Sequence, residues 1–397
     1  MAAERRVIAV ATRDPFDPAT FSGLSANLFA NLRADGVLPI PIATRDIRVR
    51  DAFSGAVNLA GIARGEFSGR RAPKINPNWF WSRRGLERMS RRFDTKLLRL
   101  PASVADSLGR PPILQIGTHV RTSLLGWRSF CLTDATVAQA VAADEFSVAR
   151  ASRRVVAEAM DYQREVFHSC EKVFVLSHWA KSSVVADYGY PDERVVVVGA
   201  GANVDQALPR SVDRSRPYVL FVGADWRQKG GPLLVDAFRI LRRRVPTARL
   251  VVVGCSPDIV EPGVEVLGRL DRRDPAQRRR LFEAYAGATV FSILPAFDAF
   301  PNVLLEAGWY GVPVVSTDEG SRPEAVVDGL TGLLATERDP AQIADRLLWI
   351  FQDQALAERL GSQAARRVSE LFTWPVVARR LLREIGSPLL AQSSEAR

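Results

Sequence analysis

The sequence predicts an α/β protein of two domains, each a parallel β-sheet covered by helices on both faces. The chain has 397 residues, which suits two domains of ordinary size better than one. Short apolar runs alternate with amphipathic helical patterns through both halves, as is typical of parallel sheets buried on both sides. The polar stretch QALPRSVDRSRP at 206–217 ends in proline and is the predicted linker between the halves.

The first domain is predicted over 1–205, from apolar runs short enough for buried strands and from longer stretches with helical periodicity. Residues 51–100 are less regular and carry the basic, aromatic segment KINPNWFWSRRGLERMSRRF. In chain order the predicted elements are strand 6–12, helix 25–36, strand 37–43, strand 113–118, strand 130–135, helix 143–169, strand 172–176, helix 178–189 with Ser177 as N-cap, and strand 194–200.

The second domain is predicted over 206–375, with a closing helical segment and tail over 376–397. The same alternation of apolar runs and helical patterns places its elements. They are strand 218–223, helix 231–246, strand 249–254, strand 264–268, helix 274–288, strand 289–294, strand 312–317, a short helix 323–329, strand 331–335, and helices to the end.

Composition narrows the class of protein. Hydrophobic residues make up 47% and charged residues 25%, as in soluble globular proteins. No run approaches about 18 apolar residues, so we expect no membrane span, and the apolar N-terminus is interpreted as a buried strand rather than a signal peptide. Three distant cysteines, Cys131, Cys170 and Cys255, indicate buried thiols in a reducing, cytoplasmic compartment rather than a disulfide framework or a zinc site.

The net charge of +10 is compatible with three kinds of partner: nucleic acid, an anionic membrane surface or an acidic small substrate. Arginine is abundant along the whole chain, so the total charge does not choose among them. No nucleic-acid-binding motif occurs, and we expect no nucleic-acid partner. The segment 78–93 interleaves aromatic and Arg residues and could rest on an anionic membrane. The alternative is an inserted helix with buried aromatics and a solvated basic face.

Ligands of open α/β sheets bind beyond the carboxyl ends of the strands. The loops after Thr12, Thr118, Gly223, Gly254 and Leu294 are therefore the candidates. The stretch VVVVGAGANVD at 195–205 has a Gly-x-Gly after a strand, but it lacks the third small residue and the long helix of a dinucleotide site. We interpret it as a turn that leads into the linker.

The loop in FVGADWRQKGG at 221–231 is a candidate phosphate site. A strand delivers Gly223, and Arg227 and Lys229 follow before two glycines and a helix. Lys229 is the last Lys in a chain that otherwise uses Arg, which indicates a need for a compact cation. An ammonium group beside free N–H groups at a helix start suits a phosphate. The alternative is a solvated loop lysine, and the spacing is not that of a P-loop.

The segment LPAFDAFPNVLLEAGWYGVPVV at 294–315 places two acids around a turn and the start of a helix. Asp298 lies on the loop and could accept hydrogen bonds from sugar hydroxyls. Glu306 lies about one turn into the helix and could accept from a ribose diol, and its apolar neighbours argue that it is buried. Backbone amides of the turn could bind sugar or phosphate oxygens; its residues are Phe300, Pro301, Asn302 and Val303.

From about 173 to 375 the sequence resembles family 4 glycosyltransferases of the GT-B fold. The resemblance rests on VFVLSHWAKSSVVADYG, VVVVGAGANVD, FVG-x5-KGG-xx-LL-xx-AF, and LPAFDAFPNVLLEAGWYGVPVVSTDEGSRPEAVVDGLTGLL. The segment FTWPVVARRLL resembles the family's closing helix, which crosses back to the N-terminal domain. The resemblance implies two Rossmann-like domains facing a cleft, and retaining transfer of a hexose-type sugar from a UDP- or GDP-sugar to a sugar or lipid-linked hydroxyl, without a metal or other cofactor.

The same resemblance assigns roles to the site residues. Lys229 would contact the diphosphate after Gly223, Glu306 the ribose and Asp298 the donor sugar. Ser22 and Gly23 would correspond to the glycine-rich loop of the N-terminal domain, and His119 to a histidine that touches the donor sugar. Many related enzymes build polysaccharides or glycolipids, sometimes at the cytoplasmic membrane face.

Two departures from the family pattern leave alternatives open. Asp298 stands where the family usually has Glu, and Ala224 stands where it often has Arg. Arg227 could supply the missing guanidinium. If it does not, the chain could be a nucleotide-sugar-binding protein with little catalytic power. A nucleotide-sugar 2-epimerase on the same fold is the third reading, although such enzymes need several acid/base groups and only 3 His occur.

Overall fold

The computed structural model describes residues 5–11, 24–43, 77–101, 110–122, 124–144, 146–206 and 208–386. Contacts divide the chain into two compact units, and the main boundary between them lies between Val198 of the first unit and Gly199 of the second. The three residues Ser177–Trp179 belong to the second unit, and residues from Ala378 onward belong to the first.

The described part of the first unit holds one parallel six-stranded sheet in the order β2-β1-β3-β4-β5-β6. Strands and helices alternate along the chain, which is the predicted pattern. The elements are β1 Arg5–Ala11, α1 Leu24–Ala34, β2 Val37–Ala43, α2 Pro77–Phe80, α3 Arg83–Leu98, β3 Ile113–Ile116, β4 Ser129–Thr133, α4 Val137–Ala142, α5 Phe146–Ala149, α6 Arg153–Ser169, β5 Lys172–Val175, α7 His178–Ala186 and β6 Val195–Val197.

The described part of the second unit repeats this plan with the order β12-β11-β10-β7-β8-β9, again with parallel pairs. Between β6 and β7 the described residues, which include most of the predicted linker, form neither helix nor strand. The elements are β7 Tyr218–Val222, α8 Gly231–Arg244, β8 Arg249–Val253, β9 Val264–Gly268, α9 Pro275–Gly287, β10 Val290–Ser292, α10 Asn302–Trp309, β11 Val314–Thr317, α11 Arg322–Ala325, β12 Gly332–Ala335, α12 Pro340–Gln352, α13 Gln354–Leu371 and α14 Trp374–Gly386.

The strands inside both sheets are buried on both faces, which explains why these strands are continuous apolar runs, whereas the edge strands β2, β6 and β9 are partly exposed. In the first unit β3 and β4 are buried at every position. In the second, β10, β11 and β12 are buried throughout. The predicted fold class, two Rossmann-like α/β domains, is confirmed.

The predicted helix 143–169 is wrong as a single element. The chain forms the short α5 and then α6, and Ser152 lies between them in an extended conformation. The Ser152 hydroxyl accepts a hydrogen bond from the N–H of Val155 and so starts a new helix. Periodicity alone did not show this break, because a serine is compatible with a helix interior.

The thiols follow the prediction in two of three cases. Cys131 and Cys170 are buried, whereas Cys255 is half-buried, and all three are free. The Gly-x-Gly stretch after β6 also behaves as predicted, because Gly199 has φ +79° and the described residues between it and β7 form no helix.

The last helix, α14, continues into the first unit, as the predicted fold requires. The Glu384 carboxylate pairs with Lys172 at 2.7 Å, and a guanidinium nitrogen of Arg128 donates to the carbonyl of Ile385 at 3.1 Å. None of the helices in the described ranges combines the length and the apolar character needed to cross a membrane.

The topology of the second sheet sets the position of the candidate site. Strand β10 pairs with β7 in parallel, with Val290 opposite Val219. Because both strands run the same way, the loop after Val222 and the loop after Ser292 leave the sheet side by side. These loops carry Lys229 and Asp298, respectively.

Candidate active site

The loop after β7 forms a tight turn that presents Lys229. The N–H of Lys229 donates to the carbonyl of Asp225 at 3.1 Å, and the N–H of Gly231 donates to that of Trp226 at 2.8 Å. The carbonyl of Lys229 then accepts from the N–H of Leu294 at 3.0 Å. This last bond joins the Lys229 loop to the end of β10, so the backbone of Lys229 is held against the second loop.

Gly230 is required where these two loops meet. Its φ of +76° lies in the left-handed region, and a Cβ atom there would lie 1.8 Å from the carbonyl oxygen of Leu294. Gly223, where the loop begins, is similarly confined, because its Cβ would lie 2.9 Å from Cγ of Lys229. These glycines therefore allow the two loops, and the Lys229 side chain, to pack closely.

Lys229 and Asp298 form an ion pair. The ammonium Nζ lies 2.5 Å from Oδ2 of Asp298, and 23% of the lysine side chain and 11% of the aspartate side chain are exposed. A lysine ammonium has three donor hydrogens, so it can keep Asp298 and bind a second acceptor. Two residues far apart in sequence, which the prediction placed in one site, are thus brought together.

Glu306 is buried, as its apolar flanks predicted. Only 1% of the residue is exposed, and it lies in α10 beneath the loop. Its Oε2 atom accepts from a guanidinium nitrogen of Arg272 at 2.6 Å and from the Tyr285 hydroxyl at 2.9 Å. Burial raises the pKa of Tyr285 well above its usual value, so this hydroxyl stays protonated and donates to the carboxylate.

Arg272 is a site residue that sequence reasoning missed. Burial alone would lower its pKa, but the charge and hydrogen bond of Glu306 raise it above the usual value. Its other guanidinium nitrogen donates to the carbonyl of Asn203 at 2.9 Å. The Asn203 side chain in turn accepts from the indole N–H of Trp374 at 3.0 Å. The buried acid therefore belongs to a chain of fixed contacts.

Two further arginines that sequence reasoning missed hold backbone segments of this unit: Arg338 holds the loop after β10, and Arg322 holds the segment after β11. The guanidinium of Arg338 donates to the carbonyls of Leu294 at 3.1 Å and Pro295 at 2.9 Å. The buried Arg322 pairs with Glu319 at 2.7 Å and donates to the carbonyl of Thr317. The Arg338 contacts fix the start of the loop from which Asp298 projects.

The remaining predicted residues of this unit take different positions. Arg227 is exposed, and its side chain has no partner within the described ranges, so the structure does not join it to Lys229. Phe300 and Pro301 are buried, and Phe300 lies 6.4 Å from the ring of Phe372. Asn302 and Val303 begin α10 and are half-buried, with Pro301 as an N-cap that provides no side-chain hydrogen bond.

The predicted residues of the first unit are only partly described. His119 follows β3, is half-buried, and packs against both Phe80 and Trp81 with ring centroids 5.7 Å and 5.6 Å away. Ser22 and Gly23 lie outside the described residues.

Part of the chain is similar to a known protein family. Residues 216–353 match the family Glycosyl transferases group 1. The matched segment contains Lys229, Arg272, Asp298 and Glu306, so both ion pairs lie inside the part of the chain that is similar to this family. Among the similar proteins is the D-inositol 3-phosphate glycosyltransferase of Corynebacterium efficiens, 28% identical over 274 residues, which are 63% of this chain and 62% of the relative.

Two solved structures share the fold at low sequence identity. The sucrose-phosphate synthase of Thermosynechococcus elongatus has a TM-score of 0.67 and 17% identity, covering 96% of this chain and 98% of that one. HepE of Anabaena, solved with UDP and glucose, has a TM-score of 0.64 and 15% identity, covering 97% and 100%. The predicted GT-B fold is thereby confirmed. By sequence, the chain spans between 51% and 64% of the length of the curated relatives it matches.

Proposed function

We propose that this chain is a retaining family 4 glycosyltransferase that moves a hexose from a nucleoside-diphosphate sugar to a hydroxyl group. The observation that carries the proposal is the 2.5 Å contact between Lys229 and Asp298 at the carboxyl ends of neighbouring parallel strands. An ammonium group and a sugar-binding acid held together on glycine-shaped loops suit a ligand that joins a diphosphate to a carbohydrate.

Lys229 is proposed to bind the diphosphate while it stays near Asp298. The ammonium remains partly exposed and stands two residues before the N-terminus of α8, where N–H groups and the helix dipole also favour negative charge. Asp298 would accept hydrogen bonds from donor-sugar hydroxyls. Phe300 to Val303 would supply backbone amides, and Gly223 would leave room for the phosphates.

Glu306 is proposed to hold the ribose, with Arg272 as the residue that positions it. Arg272 and Tyr285 both contact Oε2. The carboxylate is therefore fixed in one orientation, and Oε1 is the atom we assign to the ribose hydroxyls. A preorganised acceptor loses little entropy when the ligand binds.

The reaction follows from the charges that develop. The bond between sugar C1 and the diphosphate oxygen breaks, which leaves negative charge on the diphosphate and positive charge on the ring. Lys229 stabilises the leaving group, as preorganised cations do in phosphate chemistry. The acceptor hydroxyl enters from the same face, its oxygen bonds to C1, and a diphosphate oxygen takes its proton. His119 and the Ser22–Gly23 loop are proposed to contact the donor sugar and the phosphates.

The relatives support a nucleotide-sugar donor and a hydroxyl acceptor. HepE was solved with UDP and glucose, and the Corynebacterium efficiens enzyme is named for transfer to D-inositol 3-phosphate. We propose a UDP- or GDP-linked hexose as donor, and a sugar or lipid-linked acceptor in polysaccharide or glycolipid synthesis.

The test is release of nucleoside diphosphate from UDP- and GDP-hexoses, with and without candidate acceptors. Acceptor-dependent release, with the product linkage in the donor's anomeric configuration by NMR, supports the proposal. Isomerisation of the donor without release would point to an epimerase. Donor binding with neither reaction would point to a binding protein, which the Asp298 and Ala224 departures make a specific alternative.

We also propose that the reaction needs no metal, because Lys229 and the amides of the loops can neutralise the diphosphate. Transfer measured after dialysis against EDTA should equal transfer with added Mg²⁺ or Mn²⁺. A loss restored by either cation would overturn this part of the proposal.

Association with an anionic membrane face through 78–93 stays a proposal. Helix α3 buries its apolar face, and Arg83 is neutralised by Glu165 and Glu87 at 2.6 Å and 2.8 Å, which reduces the charge available to lipid. Arg84 and Arg91 remain exposed. Co-sedimentation with vesicles that rises with phosphatidylglycerol content, and falls in Arg84→Gln/Arg91→Gln, would support it; no dependence on anionic lipid would overturn it.

A further inference from the structure

A cavity lies on the second unit at the end of α8 that is remote from Lys229. Its volume is about 460 Å³, within the range of small-molecule sites. It is lined by Phe238, Arg239, Arg242, Arg243, Pro246 and Glu261. The lining thus includes three arginines and one glutamate.

The three arginines are not equivalent. Arg239 is neutralised by Glu261 at 2.7 Å and by Asp236 at 2.8 Å. Arg242 and Arg243 form no ion pair with any residue in the described ranges. The cavity lining therefore carries two positive charges without an acidic partner among the described residues, on Arg242 and Arg243, beside the neutralised charge of Arg239.

Arg242 also has a buried donor atom that a ligand could satisfy. Its Nε atom is buried and has no hydrogen-bond partner in the described part of the chain. The guanidinium lies against Gly263, whose Cβ would stand 2.9 Å from Nε. A buried, unsatisfied donor is costly and marks a place for a water or an anion. Three arginines in a last helical turn are expected from the helix dipole, but the dipole does not satisfy this inward-facing donor.

The cavity is separate from the proposed donor site. Arg242 lies roughly 16 Å along α8 from its first residue, Gly231, at about 1.5 Å per residue. Glu261 and Gly263 immediately precede β9, so the cavity lies at the amino ends of the parallel strands. Lys229 and Asp298 lie at the carboxyl ends.

We infer that this cavity binds a phosphorylated sugar. Arg242 and Arg243 would hold the phosphate, because guanidinium groups pair with phosphate oxygens in forked geometry. Sugar hydroxyls would donate to Glu261, whose carboxylate is the acceptor in the lining. Phe238 and Pro246 provide apolar surface for the ring. A bare phosphate would leave most of the cavity and Glu261 unused.

Calorimetric titration with glucose 6-phosphate, glucose and inorganic phosphate tests the inference. Glucose 6-phosphate should bind the wild type more tightly than either fragment, and Arg242→Gln/Arg243→Gln should weaken it about tenfold or more, since two charge-assisted contacts are lost. The matched control Arg279→Gln/Arg280→Gln removes the same charge from the exposed part of α9 and should bind as the wild type does. Lys229→Ala should also bind normally, which separates this cavity from the donor site.

Three results would overturn the inference. They are the absence of binding to the wild type at about 1 mM ligand, equal affinity in Arg242→Gln/Arg243→Gln, and loss of binding in Lys229→Ala instead. Phosphate that binds as tightly as glucose 6-phosphate would overturn the assignment of a sugar. If the double variant does not fold, Pro246→Glu places a carboxylate at an exposed edge of the cavity and should weaken the same binding.

Discussion

Asp298 and Glu306 are both ion-paired, yet the two pairs are built differently. In the Lys229–Asp298 pair both side chains keep some exposure, 23% and 11%, and they share one contact of 2.5 Å. In the Arg272–Glu306 pair only 2% of the acid side chain is exposed against 37% of the arginine. Glu306 is also bonded to Tyr285, and Arg272 to the carbonyl of Asn203.

The difference in exposure and bonding indicates that the two ion pairs have different roles. A partly exposed pair with a multidonor ammonium can admit a new partner when a diphosphate arrives. A buried carboxylate with two donors cannot lose them without leaving a buried charge, which is costly. We therefore propose that the Lys229–Asp298 pair exchanges partners when a ligand binds, and that the Arg272–Glu306 pair holds a fixed position. The substitutions below test these two roles separately.

The largest effect on activity is expected from Lys229→Ala. Loss of the ammonium removes a preorganised charge from the leaving group, and transfer should fall by about 10²-fold or more. Lys181→Ala is the matched control, because Lys181 also pairs with an aspartate and its side chain is also 23% exposed. Initial rates of transfer compare the three proteins. Near-normal turnover in Lys229→Ala would remove this residue from the site.

The largest effect on stability is expected from Arg272→Met, which leaves Glu306 buried without its cation. The free energy of unfolding should fall by about 3 kcal/mol, the low end for a broken buried pair because Arg272 is partly exposed. Arg366→Met, in an exposed pair with Glu370, should cost less than about 1 kcal/mol. Denaturant unfolding measures both. Equal small losses would mean that Glu306 does not depend on Arg272.

A loss of stability is also expected from Gly230→Ala. Its left-handed backbone should cost about 1–3 kcal/mol of strain, and the collision with Leu294 adds to it. Gly329→Ala is the control, since Gly329 has φ +70° and no atom within 4 Å of the added Cβ. If the free energy of unfolding falls equally in both variants, the contact between the loops of Lys229 and Leu294 is loose. The Lys229–Asp298 pair is then held less firmly than we describe.

The smallest effect is expected from Asp298→Glu. The acid and its charge remain, and one methylene moves the carboxylate, so the rate or the KM for donor should change by less than about tenfold, or about 1.4 kcal/mol. Steady-state kinetics with varied donor concentration measures this. A loss of transfer rate as large as that of Lys229→Ala would show that the Lys229–Asp298 pair tolerates no movement. This result would contradict the proposal that the pair exchanges partners when a ligand binds.

Most of the architecture could be predicted because strand runs and helix periods are local in sequence. The break at Ser152 could not, since a serine is compatible with a helix interior until its hydroxyl caps the next turn. The burial of Glu306 followed from its apolar neighbours. Its partner did not, because Arg272 is one of many arginines, and the loop after β9 was not among the candidate loops.

The direct pairing of Lys229 with Asp298 shows where sequence reasoning stops. The sequence placed an acid opposite a cation-rich loop, and the strand order then brought them together. Whether a side chain reaches its partner or remains in solvent, as Arg227 does, depends on the turn geometry that Gly230 permits. The pattern of residue types does not contain that geometry.

The central claim is that Lys229 holds a diphosphate, and direct binding tests it without requiring the acceptor. UDP, GDP and their parent nucleosides would be titrated by calorimetry into the wild type, Lys229→Ala and Lys181→Ala. We predict that at least one diphosphate binds the wild type and Lys181→Ala equally and binds Lys229→Ala at least about tenfold more weakly, with no such difference for the nucleosides. Equal diphosphate affinity in Lys229→Ala, or no binding of either diphosphate to the wild type, would contradict the claim.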